Sequence, residues 1–109
     1  MTTTTTKESY DAKLATSDVP EHLRDGLALY LAEGYQPGHF LTAALENNLT
    51  QAVSHGDDSS LAGLPAIVRW LYNHAPSTAW GSPARVDTWI SERRAERADR
   101  AGRDHADAH

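Results

Sequence analysis

Five prolines, Pro20, Pro37, Pro65, Pro76 and Pro83, divide the middle of this chain into short pieces. Proline lacks the amide N–H and its ring clashes with the preceding turn, so each must open a helix or lie between helices. Asp18 and Pro20 therefore mark a first helix start, and Gly34 its stop. Leu23, Leu27, Tyr30 and Leu31 fall on one face between them. Pro37 opens a second helix with an apolar line through Leu41, Leu45, Leu49 and Val53, terminated by Gly56. Asp57, Asp58, Ser59 and Ser60 are successive caps for a third. That helix carries Leu61, Leu64, Val68, Leu71, Tyr72 and Ala75, and ends before Pro76. Ser82-Pro83 opens a fourth, with Val86, Trp89 and Ile90 inward. No segment alternates with a strand's period of two. The expected fold is all-α, a compact domain of three to four short helices.

Composition places the boundaries. Residues 1–17 begin with a threonine run and are expected to be a disordered N-terminal tail. Residues 18–90 form the helical domain, and residues 91–109 a charged, partly helical C-terminal extension with five Arg against five acids. A chain cut to Ser17–Arg94 is accordingly expected to fold. The domain is close to the lower size limit for independent stability, so a homo-oligomer is expected, with Phe40 and Trp70 as candidate exposed apolar groups. Eight acids against three Arg between Asp18 and Ile90 place the whole net charge of −5 on the folded part. Duplex-binding surfaces need a basic face, so nucleic acid is not an expected partner. No apolar run approaches the ~20 residues of a membrane span and no signal peptide is visible, which leads to the expectation of a soluble, cytoplasmic protein.

Two stretches, "GYQPGHFLTAALENNL" and "LPAIVRWLYNHAPSTAWGSPARVDTWI", resemble a family of small, mostly uncharacterised phage and prophage proteins. The shared pattern is close to PGHFLTAxLxN(D/N)L followed by LYNxAPxxxWGSPxxVxxW, and the likeness covers Pro20 to about Ile90. The resemblance implies an accessory gene product made inside an infected or lysogenic host cell. It brings no catalytic assignment. By analogy with other small phage proteins that counter host defence, sequestration of a nucleotide-type signal is the working expectation.

The candidate site residues come from two helix starts and the loop joining the last two helices. Gln36, Gly38 and His39 precede or open the second helix; Ser82 and Arg85 open the fourth. Free first-turn amides and the helix dipole attract anions there, so two such starts side by side would hold a phosphate. The other reading is that Gly and Pro shape turns and His39 bonds a neighbouring carbonyl. Trp80 either caps the core, with its indole N–H on a backbone carbonyl, or offers a flat wall to a base. The same loop would present Asn73 and His74. Asn47 and Asn48 fall in mid-helix, where Asn is mildly unfavourable, so one of them, with Asn48 the candidate site residue, needs a loop or ligand partner. Enzyme chemistry finds little support. His39, His55 and His74 would have to converge from three elements to hold a metal, and no Ser-His-acid or glycine-rich phosphate motif is present. A non-enzymatic protein without cofactor or metal is expected, binding a phosphorylated small molecule. The alternative is an interaction module that occupies a host protein through Trp70 and the acidic first helix, or a DNA-binding regulator using the Arg-rich extension.

Overall fold

The computed structural model describes the backbone of residues 7–107 and the side chains of residues 7–100. Its helices, in order, are α1 (Lys7–Ala15), α2 (Glu21–Glu33), α3 (His39–Leu45), α4 (Leu49–His55), α5 (Asp58–Ala62), α6 (Leu64–His74) and α7 (Pro83–Asp107), with a 3-10 turn (Ser77–Ala79) before α7. No strand occurs among the described residues, and the fold is all-α. Among the described residues seven α-helices stand where three to four were expected, and the two breaks that divide expected helices have local causes. The second expected helix breaks at Asn47, whose φ of 60° is left-handed. Asn48 then caps α4 by accepting the Gln51 amide at 3.2 Å. The third breaks at Gly63, where Pro65 forces a fresh start at α6. Asp57 caps the short α5 through the Ser60 amide at 2.8 Å, which holds its carboxyl below the ordinary carboxylate range.

The seventh helix, α1, lies in the segment expected to be tail. It packs along α2 and buries Tyr10 and Leu14. Lys7 anchors its start by bonding Asp25 of α2 at 2.8 Å and Asp11 at 2.9 Å. Arg24 secures the connection, donating from Nε to the Val19 carbonyl at 2.8 Å. The domain boundary at residue 18 is therefore corrected: the domain includes α1. The expected disorder of Met1–Thr6 lies outside the described residues. Asp18, expected to cap α2, does not; Pro20 occupies the cap position.

At the other end, α7 runs without interruption from Pro83 through the charged extension. The Arg93 guanidinium lies 4.1 Å over the Trp89 ring and that of Arg97 4.0 Å over Tyr35. Arg100 bonds Glu33 of α2 at 2.7 Å. The extension is thus joined to the domain by its arginine stems, which cover aromatic surface while their charges reach water. The expected boundary at residue 90 moves outward with it.

The core centres on α2. Leu27, Tyr30 and Leu31 are fully enclosed with Leu14, Leu45, Ile67, Leu71 and Val86. Tyr30 joins three elements: its hydroxyl donates to the Ala79 carbonyl at 2.6 Å, and its own carbonyl accepts the Trp89 indole N–H at 3.1 Å. Burial pushes the Tyr30 phenol far above its ordinary range, and the charges of Asp87 and Glu46 add to it. Gly34 ends α2 with φ 74°, its amide bonded to the Tyr30 carbonyl at 2.9 Å. A Cβ there would collide with the Arg93 side chain and approach the Ile90 carbonyl to 3.3 Å. Gly34→Ala should therefore destabilise by more than about 1 kcal/mol, through both the left-handed strain and displacement of α7. Denaturant midpoints of parent and variant measure it.

Burial departs from the expected apolar lines in an instructive way. Phe40 (7 % exposed) and Trp70 (4 %) are core residues, whereas Leu49 (66 %) and Tyr72 (81 %) face outward with Val53 and Val68. The break at Asn47 rotates α4 away from the line of α3. In α6 the apolar positions form an arc wider than the buried strip, so periodicity leaves open which part of the arc turns inward.

Candidate functional site

The two helix starts do not meet. The Gly81 amide donates to the Leu45 carbonyl at 2.7 Å, which ties the loop before α7 to the C-terminal end of α3. Gly38 and His39 stand at the other end of that seven-residue helix, about 10 Å away along its axis. Gln36, Gly38 and His39 are exposed there. Thr42 closes their turn by donating to the Pro37 carbonyl at 3.1 Å. His39 stacks on His55 of α4 with ring centroids 5.1 Å apart, and its ring bonds no carbonyl among the described residues.

The start of α7 has little left for an anion. Pro83 has no amide N–H, the Arg85 amide donates to Ser82 Oγ at 3.2 Å, and the Val86 amide to the Ser82 carbonyl at 3.1 Å. Ser82 is thus the cap that Ser82-Pro83 announced. Asn48 is also a cap, and Asn73 donates to the carbonyl of Arg69, one turn back on its own helix, at 2.9 Å.

Trp80 and Arg85 do come together. With Tyr72, Ala75, Ser77 and Gly81 they line a cleft of about 420 Å³ at the corner between α6, the 3-10 turn and α7. Trp80 rests partly on the core, so capping is part of its role. Its indole N–H meets no backbone carbonyl among the described residues; that bond belongs to Trp89 and Tyr30. Arg85 reaches back across the loop, donating from Nη1 to the Ser77 carbonyl at 3.1 Å and the Trp80 carbonyl at 3.4 Å. Arg85 is exposed, and its other guanidinium N–H groups have no hydrogen-bond partner among the described residues. Two aromatic side chains, one of them four-fifths exposed, therefore border a fixed cation.

Tyr72 was missed as a site residue because it shares a helix line with Leu64, Val68 and Ala75 and was assigned to the core. Its position directly before the loop was the available signal. The sequence-selected residues thus divide into the exposed α3 start, the α4 cap, the outer side of α6, and the cleft. Trp80 and Arg85 share this cleft, while Asn73 and His74 border a separate one on another side of α6.

No protein-family model matches the chain, and no match was found among curated proteins or solved structures. No helix among the described residues is long and apolar enough to cross a membrane.

Proposed function

We propose that this chain is a non-catalytic binding protein whose cleft between α6 and α7 holds a planar, phosphorylated small molecule of the nucleotide class. The observation that carries the reading is the convergence of Tyr72, Trp80 and Arg85 on one cleft. Aromatic faces stack on a base with little regard to its identity, and the guanidinium pairs with phosphate oxygens. The resemblance to small phage and prophage proteins supplies the setting: an accessory protein in the cytoplasm of an infected or lysogenic cell, keeping a nucleotide signal from its host receptor.

Thermal denaturation against a panel of mononucleotides and cyclic nucleotides tests this. A ligand at ~100 times its dissociation constant should add ~2.7 kcal/mol to stability. Tyr72→Ala and Arg85→Ala should each weaken binding by about tenfold or more, while the exposed positions of both side chains keep the change in folding stability below about 1 kcal/mol. No stabilisation by any member of the panel, or variants that bind like the parent, would remove the reading.

A second reading has its own support. Leu49 and Val53 on α4 and Val68 and Tyr72 on α6 leave an apolar face uncovered, suited to a host protein or a second copy of the chain. It replaces the Trp70 surface expected from sequence, since Trp70 is buried. A protein indifferent to nucleotides that sediments well above its 11.9 kDa monomer mass would favour it.

A further inference from the structure

Among the described residues five large apolar side chains are exposed: Tyr35, Leu49, Val53, Val68 and Tyr72. Tyr35 lies under the Arg97 guanidinium. The other four stand in two rows, Leu49 and Val53 four residues apart on α4, and Val68 and Tyr72 four apart on α6. The rows adjoin, because Leu49 and Ala52 share with Leu64 and Val68 the walls of a mostly apolar dent of about 50 Å³. Water gains nothing from such side chains, and their clustering on one side of the molecule is the mark of a surface that something else covers.

Charge narrows what covers it. Positions 47–56 carry no Asp, Glu, Lys or Arg, and positions 59–84 carry Arg69 alone. All fifteen acids of the chain therefore lie outside α4 and α6. Copies of a chain with a net charge of −5 repel one another over most of their surface, and this acid-free face is where they can approach. A partner selected by its charge finds only Arg69 to read here. Shape points the same way. The face holds both a recess, the dent between the helices, and projecting side chains beside it, so it can complement itself about a twofold axis.

We propose that the occupant is a second copy of the chain, in a symmetric dimer that rests on the second reading of the function given above. Leu49 and Val53 of one protomer enter the dent of its partner, and the reverse contact follows by symmetry. Helices of seven and eleven residues are about 10 and 16 Å long, which makes a face smaller than the ~800 Å² per partner of a standard interface. The dimer is accordingly transient, with a dissociation constant on the order of 10–100 µM.

Sedimentation equilibrium of the full chain between about 5 and 500 µM tests this. The mass should rise with concentration from 11.9 kDa toward twice that value. Added salt should leave the dimer unchanged or strengthen it, since screening removes only repulsion. Leu49→Asp sets two acids against an apolar contact and should raise the dissociation constant by about tenfold or more. It stands in the first turn of α4, where the helix dipole favours an acid, so the fold is kept. Val53→Ala should weaken the dimer in the same direction, and neither substitution lines the nucleotide cleft. Ala12→Asp is the control: exposed on α1, which packs at the Trp70 side of α6, it adds the same charge away from the face and should change the constant by less than about threefold. Melting curves of the three variants close to the parent exclude unfolding as the cause. A mass that stays at 11.9 kDa throughout overturns the proposal and leaves a host protein to cover the face. A dimer indifferent to both Leu49→Asp and Val53→Ala overturns it by placing self-association on another surface. Dissociation by salt overturns it too, because the contact is then ionic.

Discussion

A chain beginning at Ser17 loses its cooperative thermal transition. Removal of α1 takes two enclosed side chains from the core: Leu14 is 0 % and Tyr10 4 % exposed. It also uncovers Trp70, whose ring packs against Tyr10, and breaks the Lys7 bond to Asp25. The single substitution Leu14→Ala gives the same effect in measurable form. A buried Leu→Ala change costs about 2–5 kcal/mol, depending on how far the cavity collapses. At roughly 4–8 °C per kcal/mol for a domain of this size, the melting temperature should fall by about 8–40 °C. Calorimetry on the variant and on the shortened chain measures both. A chain from Ser17 that melts cooperatively at the parent temperature would mean that α1 is an appendage.

Trp89→Ala should be comparably damaging, for a different reason. The ring is 7 % exposed, its N–H bonds the Tyr30 carbonyl, and its face carries Arg93. Truncating a buried Trp costs about 3–5 kcal/mol. Here the loss also loosens the hold of α7 on α2, where Tyr30 connects both to the loop through the Ala79 carbonyl. The expected result is a midpoint shift in denaturant accompanied by a fall in the m-value, as the charged half of α7 detaches before the rest unfolds. Trp80→Ala provides the contrast, because Trp80 is only partly buried and should cost less. Equal losses for the two tryptophans would contradict the assignment of Trp89 as the core bond and Trp80 as a cleft wall.

Much of this architecture was legible in local chemistry. Gly34 in the left-handed conformation, the Asp57 cap, the α6 stop at Ala75 and the Ser82 cap before Pro83 are short-range matters, decided by residues a few positions apart. So was the all-α class, since no stretch has a strand's periodicity, and so was the inward face of α2. The Asn47–Asn48 pair was noticed as a misfit in a helix; the structure shows that no helix passes through it.

What sequence order alone could not decide was which apolar faces meet. Tyr10 and Leu14 are only two apolar residues beside a threonine run, too few to announce a helix, and they count as core solely because Trp70 and α2 lie opposite. In α6, Leu64, Ile67, Val68, Trp70, Leu71 and Tyr72 cover just over half of the circumference, and packing buries the Ile67, Trp70 and Leu71 side of that arc while Val68 and Tyr72 at its other edge face outward. The separation of the two helix starts is a matter of tertiary packing, in which the long-range bond from Gly81 to Leu45 places the loop at the far end of α3. Local signals place caps and stops because their partners are neighbours in the chain; faces and sites are decided by partners distant in it, and those exist only once the helices have packed.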